Sequence, residues 1–223
     1  MPQGKRTKFS PAMFTACVLA FQSVSYNVLL FCKNNPGCET MALLNSDSGY
    51  GTLTKFLHWS IVILFAMQYI GGHIMTTIGF NSSFAGIVTN DYYDWHKSLG
   101  LLALLFAVVR IINRQMGNLP PWAATLSDTE KKFIHRVEQV FYFAMFVMPV
   151  SGWLYVMWGN YGVNLFGAWE MPRPLPKDNG LRDIAKWAHI GAGWCLLVAI
   201  LGHVGLVLRH QIFKKDGLLN RML

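Results

Sequence analysis

The sequence predicts an all-α integral membrane protein built as a four-transmembrane-helix bundle, and three observations support this fold class. Hydrophobic residues make up 53% of the 223 residues and charged residues only 13%, whereas soluble domains usually carry about 25% charged residues. Four apolar segments each reach the ~20 residues that a helix needs to cross a bilayer. Basic residues alternate between the connections as they do in loops on opposite sides of a membrane.

The predicted spans follow one another along the chain at residues 53–75, 95–113, 133–158 and 186–209. Pro149 interrupts the third span, and we expect a kink there because proline removes a backbone donor. Just before that span, Ser127 precedes Glu130 by three residues. This spacing is typical of a capping box and predicts a helix N-terminus at Ser127.

A fifth apolar stretch, residues 9–32, fits the bundle poorly. A spanning helix there would put the three basic residues that precede it on the outer side, against the positive-inside rule. A cleaved secretory signal would conflict with the same rule at Lys33, and Met41 is an alternative start. We therefore predict that residues 1–49 are an extension outside the core or a mis-assigned start, and that residues 50–223 form the transmembrane domain.

The basic residues of the loops predict the orientation. The connection at residues 76–94 contains no Lys or Arg, whereas the next connection and its flanks hold Arg110, Arg114, Lys131, Lys132 and Arg136. More basic residues follow the fourth span. The positive-inside rule then predicts a membrane protein whose core has both termini in the cytoplasm. The net charge of +8 is explained by this topology, and we expect no nucleic-acid partner.

The histidines indicate the chemistry, because a histidine inside a membrane helix is costly and usually functional. His189 and His203 are 14 positions apart, which on a helix returns to nearly the same face and separates the rings by roughly 21 Å. One helix therefore offers an imidazole near each membrane surface. Neutral imidazole suits haem iron, which takes an axial ligand on each side. Two stacked haems follow if other helices supply the partners.

Matching the depths of the histidines selects those partners. His58 begins the first span and His203 lies late in the fourth, so both are at the predicted cytoplasmic side. His96 and His189 begin the second and fourth spans at the outer side. The predicted pairs are His58–His203 and His96–His189. His73 remains a rival partner for His189, because it follows His58 by 15 positions and so lies on nearly the same face at outer depth.

Two other features concern the surroundings of these pairs. His135 and His210 lie at the cytoplasmic boundary, and we expect them to be interfacial or to support the site rather than bind iron. Glycines cluster on the same helices and permit close approach of a macrocycle or of another helix. These are Gly71, Gly72, Gly100, Gly191, Gly193, Gly202 and Gly205.

A series of short motifs occurs in order over about residues 50–223. They are LHW at 57–59, DWHKSLG at 94–100, VVRIINR at 108–114, NLPP at 118–121, FYFAMFVMPVSGW at 141–153, NLFG at 164–167, KWAHIG at 186–191 and GH at 202–203. Together they resemble the bacterial cytochrome b561 family, which includes the superoxide oxidase of the inner membrane. The resemblance implies a four-helix fold enclosing two b haems, with ligands at His58, His96, His189 and His203. The chain departs from the family at Glu138, where a second third-helix histidine is often found.

The resemblance also implies a location in the bacterial inner membrane and a redox enzyme of the superoxide oxidase type. An outer donor, with superoxide as the candidate, would deliver electrons that pass to a membrane quinone. Lys97 and Lys186 flank the outer histidines and are candidates for attracting an anionic substrate, although interfacial lysines are usually snorkelling anchors. The alternative is a cytochrome b electron-transfer subunit that serves a partner dehydrogenase or a periplasmic redox protein.

Overall fold

The computed structural model describes residues 43–47, 49–79, 82–116 and 119–223. In this part of the chain, four helices are long and apolar enough to span a bilayer. They are α1 (Thr52–Thr77), α2 (Thr89–Met116), α3 (Asp128–Trp158) and α4 (Asn179–Arg209). The predicted all-α membrane bundle is confirmed. The apolar stretch at residues 9–32 lies outside the described residues, so the predictions made for residues 1–40 stay predictions.

α3 and α4 begin earlier than the predicted spans because polar residues cap them outside the apolar region. The capping box predicted before α3 is confirmed: Ser127 Oγ accepts a hydrogen bond from the backbone N–H of Glu130, whose carboxylate accepts one from the Ser127 backbone N–H at 2.8 Å. Asp178 caps α4 in a similar way, because its carboxylate accepts from the Leu181 N–H at 2.9 Å. α3 runs without a break through Pro149.

The helices pack as antiparallel neighbours. α1 lies against α2 and α3 against α4 in the most extensive contacts, and α2 against α3 joins the two pairs. Hydrogen bonds define the register of α1 and α2: Gln68 Nε2 donates to the His96 carbonyl at 3.0 Å, and Asn113 Nδ2 donates to Thr54 Oγ1 at 2.8 Å. The start of α1 is therefore level with the end of α2.

The two ends of the bundle differ. One end contains the starts of α1 and α3, the ends of α2 and α4 and the last residues of the chain, and we call it the terminal end. The opposite, hairpin end carries two short antiparallel hairpins within the described residues. β1 (Ser83–Phe84) pairs with β2 (Ile87–Val88) between α1 and α2, and β3 (Asn164–Leu165) pairs with β4 (Trp169–Glu170) between α3 and α4. The sequence analysis did not predict these hairpins.

Large apolar side chains lie both inside the bundle and on its outer surface. Leu57, Ile61 and Leu64 of α1 are buried against the other helices. Phe143 of α3 and Val198 of α4 are among many large apolar residues that stay exposed. An exposed apolar surface on helices of this length is expected where the surroundings are lipid rather than water.

A polar cluster closes the terminal end. His210, in the π-helical turn that follows α4 (His210–Lys214), is fully buried. Its Nδ1 lies 2.6 Å from Asp216 Oδ2 and its Nε2 lies 3.1 Å from Glu130 Oε1. Hydrogen bonds from His210 and Thr125 lower the pKa of Asp216 to about 2. The cluster ties the residues after α4 to the start of α3, so His210 is enclosed rather than solvated by headgroups.

Candidate functional site

Two histidines face each other near the hairpin end. His96 lies on α2 and His189 on α4, and both side chains are partly buried. Their ring centroids are 6.2 Å apart and their ring planes differ by 78°. The structure thus brings together the two residues that were predicted to form the outer pair.

A second pair faces across the bundle near the terminal end. His58 of α1 and His203 of α4 have ring centroids 6.3 Å apart, with an interplanar angle of 63°. Aromatic rings enclose the pair: Phe141 lies 5.6 Å from the His203 ring and Trp59 lies 5.4 Å from the His58 ring, measured between centroids. The two pairs therefore use α4 twice and lie at opposite ends of the bundle.

The separation within each pair suits a metal ion between the rings. An imidazole nitrogen binds a first-row metal at about 2 Å, and it lies about 1 Å from its ring centre, so a metal ion between two imidazoles keeps the centres about 6 Å apart. The centroid distances of 6.2 and 6.3 Å match this value. Rings that merely stacked on each other could have different separations in the two pairs. A metal ion of the same kind between the rings would require the same separation in both.

A backbone contact determines which nitrogen of His189 is free. His189 Nδ1 lies 2.6 Å from the Met148 carbonyl oxygen of α3. Because a carbonyl oxygen only accepts, Nδ1 carries the proton and donates, which leaves the Nε2 lone pair for a metal. A ring N–H donated to a carbonyl is the usual support of a metal-binding histidine, because it fixes both the tautomer and the ring orientation.

Gly152 makes this contact possible. A Cβ at this position would lie 2.8 Å from His189 Nδ1 and 2.9 Å from its Cε1, closer than real contacts allow. Only glycine therefore lets the ring approach the α3 backbone. The sequence analysis missed Gly152 as a site residue, because the glycine lies on a different helix from the histidine that it accommodates.

His96 also packs closely against its neighbours, though less tightly than His189. A Cβ at Gly72 of α1 would lie 3.3 Å from His96 Cε1, and Gln68 donates to the His96 backbone carbonyl. His96 Nδ1 is buried without a hydrogen-bond partner among the described residues.

A cavity opens beside the His96–His189 pair. It contains about 980 Å³ of space that protein atoms do not fill, part of it open to the surroundings. Its walls are almost entirely apolar, and Phe65, Gly100, Met148, Trp153 and Leu196 contribute to them. An apolar cavity beside two facing imidazoles suits the apolar ring of a macrocycle with a central metal.

The other candidate residues lie apart from the pairs. His73 is exposed, so the structure brings His96 rather than His73 to His189. His135 is exposed too, and its Nε2 lies 3.3 Å from Gln139 Nε2. Glu138, which departs from the family pattern, forms an ion pair with Arg114 at 2.6 Å.

Both predicted lysines lie at the hairpin end in different settings. Lys97 is 17% exposed, and its Nζ is 3.4 Å from an oxygen of Asp94. Lys186 is exposed, and its Nζ lies 5.8 Å from the centre of the Trp187 ring. The charge of Lys97 is therefore partly compensated by the neighbouring carboxylate, whereas Lys186 is open to the surroundings.

Comparison with known proteins agrees with this arrangement. The family model described as Prokaryotic cytochrome b561 matches residues 49–223. The chain is also similar to Cytochrome b561 homolog 2 of Escherichia coli (strain K12), with 26% identity over 192 residues that cover 82% of this chain and 95% of the relative. Proteins of this family are membrane cytochromes that transfer electrons and typically bind haem b. The chain belongs to the prokaryotic cytochrome b561 family.

Proposed function

We propose that this protein is a two-haem b-type cytochrome that takes electrons from a donor at the outer side of the membrane and delivers them to the quinone pool. The observation that carries the proposal is the pair of matched separations, 6.2 Å for His96–His189 and 6.3 Å for His58–His203. These four histidines would hold the iron of the two haems. When bound, the haems supply the reversible one-electron chemistry that the side chains lack.

The protein contributes orientation and exclusion of water. Hydrogen bonding of His189 to the Met148 carbonyl holds one imidazole ready to bind. Between the two pairs, Leu64, Leu99 and Ala103 form a buried apolar cluster. The paired histidines of α4 are 14 residues apart, roughly 21 Å along the axis. The apolar cluster keeps the space between the two proposed redox sites free of water.

The proposed orientation has the terminal end in the cytoplasm of a bacterial inner membrane. Basic residues are more frequent at this end, and the rule for membrane proteins counts basic residues near the ends of the spans. They include Lys55, Arg114, Lys131, Lys132, Arg136, Arg209, Lys214, Lys215 and Arg221. The His96–His189 pair then lies towards the outer side, where an external donor would meet it.

Superoxide is the proposed donor. Each superoxide would give up one electron and leave as dioxygen, so two of them reduce one quinone to quinol with the uptake of two protons. Lys186 is the better candidate for attracting the anion, because it is exposed and Lys97 is paired with Asp94. We expect the attraction to depend on ionic strength, as for other exposed charges.

A direct test uses the purified protein without any partner. Superoxide should reduce it rapidly, and an added quinone should reoxidise it. Lys186→Gln should slow the reduction at low ionic strength and lose this effect at high salt. Lys132→Gln, an exposed lysine at the terminal end, is the matched control and should leave the rate unchanged. A protein that superoxide does not reduce would contradict the proposed donor.

The second candidate is an electron-transfer subunit that serves a partner dehydrogenase or a periplasmic redox protein. The observation in its favour is the exposed aromatic surface of the second hairpin, where Phe166 is 46% and Trp169 is 54% exposed. Such residues are enriched at protein interfaces, although they also anchor proteins at membrane surfaces. The same experiment separates the candidates, because a subunit would be reduced only after its protein partner is added.

A further inference from the structure

Arg110 of α2 differs from the other arginines in the described part of the chain. Its Nη1 is buried and has no hydrogen-bond partner there. The other described arginines each have an acceptor on the protein: Glu138 for Arg114, Gln139 for Arg136, Glu170 for Arg173, Asp183 for Arg182, Glu130 for Arg209 and the Pro121 carbonyl for Arg221. An always-charged group without such an acceptor is expensive inside a membrane protein, which indicates that a partner completes the site.

The missing partner lies inside the bundle rather than in the lipid. Ala103, Ala107 and Asn113 are buried on α2, and Arg110 follows the first two at helical spacing on the same face. Val109 and Ile112, on the other face, are exposed. Arg110 also precedes the end of α2 at Met116 by six residues, which is about 9 Å along the axis. A lipid headgroup at the surface is therefore poorly placed to meet it.

Arg110 is level with the His58–His203 pair. It follows His96 by 14 positions, the same spacing that separates His189 from His203, so it returns to nearly the same face roughly 21 Å further along. The register of α1 and α2 agrees with this level: Asn113, three residues after Arg110, donates to Thr54, four residues before His58. On α2, an arginine thus occupies the level at which α1 and α4 each present a histidine.

We infer that Arg110 binds a propionate carboxylate of the haem held by His58 and His203. The inference rests on the proposed function, because it requires that haem. A haem b carries two propionates, and a guanidinium binds a carboxylate through two parallel hydrogen bonds. The haem thereby supplies the acceptor that the described residues do not, and Arg110 supplies the countercharge that a carboxylate needs in apolar surroundings. Arg110 acts as a positioning residue that also sets the redox potential.

Two measurable consequences follow from the positive charge. Reduction adds an electron, so a nearby cation favours the reduced haem, and Arg110→Gln should lower the midpoint potential of that haem. Without its cation, a carboxylate in apolar surroundings protonates at higher pH. The midpoint potential of the variant should therefore depend more strongly on pH near neutrality than that of the unchanged protein.

The experiment is a redox titration of the purified full-length protein, followed by haem absorbance at several pH values. Arg110→Gln should shift one of two haem components to lower potential. Arg110→Lys keeps the charge, so its potential should lie close to that of the unchanged protein. Arg114→Gln is the matched control, because Arg114 lies one turn further along α2 and is paired with Glu138; it should move neither component. The shift should persist in a His96→Ala background and vanish in a His58→Ala background.

Loss of the haem in Arg110→Gln and its return in Arg110→Lys would also support the inference. Potentials that stay unchanged in Arg110→Gln would overturn it, as would a shift confined to the haem that survives in His58→Ala protein. Loss of the haem from both variants would overturn the role of charge. Fewer than two haems in the unchanged protein would defeat the proposed function together with this inference, whereas two haems with no Arg110 effect would defeat the inference alone.

Discussion

Replacement of Gly152 by alanine is expected to release one haem selectively. The added Cβ would lie 2.8 Å from His189 Nδ1, and ordinary contact begins at 3.4 Å, so the ring must retreat by about 0.6 Å to restore ordinary contact. That movement lengthens the 2.6 Å hydrogen bond from His189 Nδ1 to the Met148 carbonyl to about 3.2 Å and weakens it. Complete loss of such a supporting contact typically weakens metal binding by 10–100-fold, so we expect haem retention at the His96–His189 site to fall by about 10-fold, the lower end of that range.

The assay is haem content per chain after purification, with the rate of haem loss to an acceptor protein as a second measurement. Gly191→Ala is the matched control, because Gly191 lies on α4 two residues from His189 and a Cβ there meets nothing within 4 Å. Alanine also favours a helix over glycine by about 1 kcal/mol, so a general loss of helix stability cannot explain a defect. Full loading of both sites in Gly152→Ala, with unchanged rates of haem loss, would refute the reasoning.

Four further predictions concern other parts of the protein. His58→Ala and His96→Ala should each retain one haem per chain, and pyridine haemochrome assays should show complementary losses; loading that survives in either variant would contradict the proposed ligands. A reporter fused after Leu223 should be active only if it functions in the cytoplasm, and periplasmic activity would reverse the orientation. A shortened chain beginning at Met41 should keep its haem content and thermal stability; a loss of either would give residues 1–40 a structural role. Asp216→Asn should lower thermal stability at neutral pH, and the difference should shrink as the pH falls towards 2, because the depressed pKa of Asp216 stabilises the fold only while the carboxylate is ionised.

The sequence was sufficient to predict the helices and the two histidine pairs. Apolar length identifies a membrane helix, and the regular rise of a helix converts 14 residues into a depth. The sequence left His73 as an alternative partner for His189, because spacing within one helix does not define how that helix is rotated against its neighbours. In the structure Gly72 faces the His96 ring, and the next residue is turned away by one helical step.

Other features depend on contacts between distant parts of the chain. The role of Gly152 follows from the His189 ring on another helix. Arg110 was read as a loop charge, and its unsatisfied nitrogen emerges only when the interior face of α2 is known. His210 was expected near the membrane boundary, but the residues after α4 fold back and bury it against Glu130 and Asp216. No local periodicity in the sequence reports such tertiary contacts.

The central claim is that each chain holds two haems, one in each histidine pair. The most direct measurement is a reduced-minus-oxidised absorbance spectrum of the purified protein, combined with extraction and quantification of haem against protein concentration. The proposal predicts a b-type spectrum and two haems per chain. A preparation that is saturated with haem and still contains one haem or none per chain would contradict it.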